Sequence, residues 1–123
     1  MLMFRGGLIA LPYFKNYKGD STFKPMTAVA IKVGKGSIRY RIHVKGKGWY
    51  PWVTGYDKND FHNGYAGDGK NVIDGIQIEF DDGSNKVWYR SSAVNNGNWT
   101  VGNKVLTGAM DKLQIAISRT NPF

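Results

Sequence analysis

The 123-residue chain contains no cysteine, so disulfide cross-links and thiolate chemistry are excluded. That absence does not choose a compartment, since extracellular bacterial proteins also do without cysteine. No apolar run approaches the ~20 residues that a membrane-spanning helix needs. The opening stretch MLMFRGGLIALPYF is apolar, but Gly6, Gly7 and Pro12 interrupt it and no small-residue cleavage site follows. The expectation is therefore a chain without its own signal peptide, either staying where it is made or belonging to a larger secreted chain. Long helix-forming runs are missing as well.

Acidic residues are scarce, 9 against 17 basic ones, for a net charge of +8. Such an excess implies an anionic partner: nucleic acid, an acidic membrane surface or an anionic cell-wall polymer. The few carboxylates include no pair that reads as a glycosidase acid and base. Asp81-Asp82 sits in a DDG turn, where aspartate is explained by backbone hydrogen bonding. Neither G-x-S-x-G nor H-E-x-x-H occurs. No enzyme is expected, and no cofactor or metal.

What is abundant is glycine, at 16 residues, and aromatic side chains, at 14%. With hydrophobic residues at 41% and charged ones at 21%, this is a globular balance. Many glycines without helical runs point to short strands joined by tight turns, in one all-β domain spanning 1–123.

The chain repeats itself. MTAVAIKV (26–33), IDGIQIEF (73–80) and MDKLQIAI (110–117) carry apolar residues at the first, fourth, sixth and eighth places. The last three of these alternate with period two, as in a half-buried strand. Aromatic–arginine pairs open the units: Phe4-Arg5, Tyr40-Arg41 and Tyr89-Arg90. LPYF (11–14) lines up with YPWV (50–53), and Trp99 stands where the middle unit has Trp49. The units run over about 2–33, 36–80 and 83–118, and the middle one carries an insertion. Three units without a distinct cap favour a closed pseudo-threefold body. A β-prism is the expected form, with three small sheets facing a common core, and a β-trefoil is the alternative.

The stretch GYAGDGKN (64–71) is one residue from a phosphate-binding loop, which requires Ser or Thr where Asn71 stands. The following VIDGIQIEF has strand period rather than a helical stripe, so the nucleotide reading is rejected. The segment is expected to be a turn feeding the next strand.

Binding candidates concentrate in the middle unit. Trp49 and Trp52, in GWYPWVTGY, project to opposite faces of a regular strand unless Pro51 forces a bulge. Tyr56, Phe61 and Tyr65, in or beside the polar insertion, are less easily buried than the other aromatics. Large aromatics usually fill cores, but exposed rings stack on sugar faces and on bases. His43 reads as a solvent-side strand residue. Asp57, Asp60 and His62 form a polar cluster that lacks the spacing of a calcium loop. Arg39, Arg41, Lys45, Lys47, Lys58 and Lys70 gather in the same unit, but not in an RNA-recognition or oligonucleotide-barrel pattern.

Residues 40–80 resemble the C-terminal repeats of clostridial and clostridial-phage peptidoglycan hydrolases and are similar to the clostridial hydrophobic-W repeat. Tyr40, His43, Gly48-Trp49, Trp52-Val53, Ala66-Gly67 and Ile73-Asp74-Gly75-Ile76 carry the resemblance, with Gly75 in place of alanine. The first unit has Ala10 where tryptophan is expected, and the third lacks the second tryptophan. The resemblance implies a non-catalytic module that targets a lytic or secreted protein to the glycan or anionic polymer of a Gram-positive wall. It also implies extracellular action, by phage lysis or as part of a larger secreted chain. Trp49, Tyr50, Trp52, Tyr56 and Tyr65 would supply stacking surface, and Asp57, Asp60 and His62 would hydrogen-bond hydroxyls. A lectin-like adhesin or toxin-accessory protein that binds host glycans is the alternative, followed by nucleic-acid binding. Association with itself or with a catalytic domain is also expected.

Overall fold

A computed structural model describes residues 6–11, 15–19, 25–94 and 98–123, the first two as backbone only. The opening pair Phe4-Arg5 lies outside the described residues, as do Asp20 and most of the LPYF segment. The described chain is all-β, with no helix. Its strands are β1 (Gly6–Leu11), β2 (Lys15–Gly19), β3 (Ala28–Val33), β4 (Ser37–Val44) and β5 (Gly48–Trp49). They continue as β6 (Ala66–Gly67), β7 (Ile73–Asp81), β8 (Lys86–Ala93) and β9 (Met110–Ser118).

The strands form three three-stranded sheets, ordered β1-β3-β6, β2-β9-β8 and β5-β4-β7. All three contribute to one hydrophobic cluster. Val29 and Ile31 enter it from β3, Tyr40, Ile42, Ile76 and Ile78 from β4 and β7, and Tyr89, Leu113 and Ile115 from β8 and β9. Removing these faces from water is the main force holding the sheets together, at about 1.5–3 kcal/mol for each large side chain fully buried.

The period-two alternation in each closing strand is matched by burial. Val29, Ile76 and Leu113 are buried, as are Ile31, Ile78 and Ile115, while Val33, Phe80 and Ile117 are half-buried at the rim. Met26, Ile73 and Met110, at the first matched place, are also buried. Backbone bonds join these positions: Met26 N–H donates to Met110 C=O at 2.7 Å, and Ile73 N–H donates to Met26 C=O at 2.9 Å.

The second and third units share a register. Tyr40 faces Ile78 across β4–β7, and Tyr89 faces Ile115 across β8–β9. Each ladder is interrupted at the same matched place, between His43 and Val44 and between Ser92 and Ala93. Asp74 accepts from His43 at 2.5 Å beside the first interruption, and Asp111 accepts from Ser92 Oγ at 2.7 Å beside the second. The matched aspartates thus tie two strands of one sheet.

The sheets cut across the units read in the sequence, since β6 of the middle unit pairs with β3 and β2 of the first pairs with β9. In addition, β1 pairs with β3 in parallel, unlike the antiparallel β4–β7 and β8–β9 pairs. β3 is also buried on both faces. Ala28 and Ala30 are small enough to admit the ring of Tyr65 on the face opposite Val29 and Ile31, and Tyr56 packs against the same cluster. The ring follows directly into β6, whose Ala66 pairs with Val29.

Candidate functional site

The turn 68–71 is built on one carboxylate. Asp68 Oδ1 accepts the backbone N–H groups of Lys70 at 2.8 Å and Asn71 at 2.7 Å. Its Oδ2 accepts Asn71 Nδ2 at 2.6 Å and the Tyr50 hydroxyl at 2.7 Å. The amides that would cradle a phosphate are therefore already occupied. Burial works against the Asp68 charge, but the donors from Asn71, Tyr50 and Lys70 outweigh it and hold the carboxyl well below its usual range. The same D-G-x-N turn recurs at 82–85, where Asp82 accepts Ser84 N–H, Asn85 N–H and Asn85 Nδ2.

The insertion after β5 is a closed loop. Gly55 N–H donates to Asn63 C=O and Asp57 N–H to Gly64 C=O, while Asn63 Oδ1 accepts Thr54 N–H and Asn63 Nδ2 donates to Thr54 Oγ1. A methyl group on Gly55 would lie 2.3 Å from the Asn63 carbonyl oxygen, and one on Gly64 would lie 2.0 Å from that of Asp57. Only glycine permits the two sides of the loop to approach so closely. Within it Asp57 Oδ1 accepts Asn59 N–H, and Asp60 Oδ1 accepts His62 and Asn63 N–H. Both aspartates are thus turn-formers, and no group of three or more His, Asp or Glu side chains among the described residues is set to hold a metal ion.

The eight candidate binding residues do not form one site. Tyr50, His62 and Tyr65 line a cleft of roughly 170 Å³ together with Pro51, Val53, Phe61, Ala66 and Gly67. Tyr65 is only 3% exposed, because it fills the space over Ala28 and Ala30, so the expectation that it resists burial is corrected. Phe61 is 66% exposed and stacks on His62 with ring centroids 4.2 Å apart. Phe61 lies outside the expected binding set, and its polar flanks in DKNDFHNG are the signal in the sequence that pointed to its exposure. Tyr56 stands outside this cleft, under the Lys32 ammonium at 5.9 Å.

Trp49 and Trp52 are elsewhere, and together. β5 ends at Trp49, Pro51 continues outside any strand, and Val53 re-enters as an isolated bridge to Tyr40. This break returns Trp52 to the side of Trp49 instead of the opposite face. Both half-buried rings meet one guanidinium, Arg41, with centroids 4.6 Å from its central carbon. Trp49 also meets His43 edge-on at 5.2 Å, and Arg39 lies 4.2 Å from Trp52 while ion-paired with Glu79. Arg41 itself donates to a neutral acceptor, Gln77 Oε1, through Nε at 2.9 Å and Nη2 at 2.7 Å.

The third unit repeats the arrangement. Arg90 donates through Nε to Gln114 Oε1 at 2.8 Å and lies 4.7 Å from Trp99 and 4.5 Å from Phe123. Arg41 and Arg90 occupy matched strand positions, opposite Gln77 and Gln114. The second ring at Arg90 is Phe123, a residue too distant in sequence for spacing to find.

No helix among the described residues is long and apolar enough to cross a membrane. The chain matches no family model, and no curated protein or solved structure is significantly similar to it.

Proposed function

We propose that the chain is a non-catalytic glycan-binding module of the bacterial cell wall, targeting a lytic or secreted protein to its substrate surface. The observation that carries this reading is the cleft whose accessible aromatic lining is Tyr50, Phe61 and His62. It offers ring faces for a pyranose and hydrogen-bonding groups for hydroxyls. The site's firmness supports it too: Tyr50 is held by Asp68, Tyr65 by the alanines of β3, and the loop carrying Phe61 and His62 is pinned at Gly55 and Gly64. A rigid site forfeits little entropy on binding.

A non-catalytic role is supported by the engagement of the carboxylates. Among the described residues Asp57, Asp60, Asp68, Asp81 and Asp82 accept turn amides, while Asp74, Glu79 and Asp111 bond to His43, Arg39 and Ser92. The body is read as a β-prism closed around a pseudo-threefold axis. Three sheets on one core, matched burial at three positions and the backbone bonds linking Met26, Ile73 and Met110 support that architecture.

The test is retention on purified Gram-positive walls, before and after acid removal of their secondary polymers. Wild type is compared with Phe61→Ala and Trp52→Ala, each checked for folding. Retention that is lost in folded Phe61→Ala supports the cleft. Absence of retention on every wall overturns the reading and turns the search to host glycans.

A further inference from the structure

Arg41 and Arg90 share an unusual electrostatic position. Each guanidinium contacts two aromatic rings, which excludes water from the contacted faces. Each has a glutamine as its side-chain hydrogen-bond partner, and neither has an acidic partner among the described residues. The neighbouring Arg39 shows the contrast, since it also stacks on Trp52 but is neutralised by Glu79. A ring contact stabilises a cation by about 0.5–2 kcal/mol without cancelling its charge. What remains is the outer edge of the fork: Nη1 of Arg41, and both Nη groups of Arg90, donate to nothing among the described residues. A pre-oriented, partly desolvated guanidinium edge is suited to a two-oxygen anionic group, carboxylate or phosphate.

The construction occurs twice by different chain routes. Trp49 and Trp99 come from matched places, whereas the second ring is Trp52, just after β5, in one unit and Phe123, beyond β9, in the other. The outcome, an arginine between two rings with no acidic partner among the described residues, is the same.

We propose that Arg41 and Arg90 are the centres of two equivalent anion-reading sites, through which the chain grips a phosphate- or carboxylate-bearing glycan at two points. Rings beside each guanidinium take the sugar face, and the fork takes the anion. The identification of the polymer as a glycan rests on the function proposed above, but the two anion sites do not. Two weak sites on one chain hold a repeating polymer that spans both far more tightly than a single repeat unit.

The side-chain Nε–Hε signals of Arg41 and Arg90 in the wild-type protein test this directly. The probes are poly(glycerol phosphate) fragments, oligogalacturonate and the neutral chitohexaose. Both arginine signals are expected to shift with one or both anionic probes and not with the neutral one, and the responding probe identifies phosphate or carboxylate. Arg90→Gln is expected to leave the Arg41 response intact, to change affinity for a single repeat unit less than about twofold, and to weaken binding of the long polymer at least about tenfold. Arg90→Lys, which keeps the charge but not the fork, is expected to behave like Arg90→Gln. A shift at Arg41 alone, or at neither, overturns the two-site proposal. Wall retention with silent arginines overturns this proposal and leaves the cleft reading standing, whereas responsive arginines without wall retention do the reverse.

Discussion

The hydroxyl of Tyr50 donates to the carboxylate of Asp68 at 2.7 Å, joining the residue after β5 to the turn before β7. Tyr50 N–H also bonds to Ile42 C=O at 2.9 Å. One residue thus fixes a wall of the candidate cleft, through its backbone to the sheet and through its side chain to the turn.

Replacing Asp68 with Asn should cost roughly 2–3 kcal/mol at neutral pH, because several donors lose a charged acceptor. Its folded-state pKa is depressed, so the stabilisation is present above about pH 4, the unfolded carboxylate value, and fades as pH falls below it. Urea unfolding between about pH 7 and pH 2 should show this acid loss in wild type and a shallower one in Asp68→Asn. Asp82, held down to about 2, supplies part of the residual slope. An identical acid profile in the two proteins would contradict the assignment.

Asn71→Ser completes the phosphate-loop pattern in sequence and removes the bond from Asn71 Nδ2 to Asp68. The expected outcome is a stability loss of about 1 kcal/mol and no affinity for ATP with magnesium. Calorimetric titration and thermal unfolding check the two halves; nucleotide binding by the variant would mean that the turn amides are free.

Gly75→Ala places a methyl group 2.5 Å from Leu106 Cδ2 and 2.7 Å from the Val105 carbonyl oxygen. Segment 105–107 crosses here, with Ile76 N–H donating to Val105 C=O and Thr107 N–H to Asp74 C=O. A destabilisation of about 1–3 kcal/mol is expected from this overpacking. An unchanged melting temperature would show that the crossing yields at no cost.

Phe61→Ala and Tyr65→Ala separate site from scaffold. Phe61 is exposed, so its loss should alter stability by no more than about 0.5 kcal/mol while reducing wall retention. Tyr65 is buried over β3, and its truncation should cost about 3 kcal/mol or more. Denaturant unfolding beside wall pull-down measures both; a stable Tyr65→Ala would place that ring outside the core.

The inward faces of β3, β7 and β9 were legible because alternation is local, and the buried Val29, Ile76 and Leu113 follow from it. The Asp82 turn was legible for the same reason, its acceptor and donors lying within a few residues. Trp49 and Trp99 each meet an arginine, Arg41 and Arg90. The gathering of Trp52 onto Arg41, the burial of Tyr65 and the arrival of Phe123 at Arg90 were not legible. Each depends on where a strand stops, or on a neighbour from another unit.

The order of residues by itself determined an all-β chain with three matched strands, tight Asp- and Gly-based turns and an excess of positive charge. Those properties follow from periodicity, backbone preference and composition, which need no partner in space. Tertiary structure alone decided which rings are scaffold and which are surface, that β6 crosses to β3, and that two arginines each lie between two aromatic rings. Ring burial and charge neutralisation are settled by contacts between segments far apart in the chain, and short-range pattern carries no record of them.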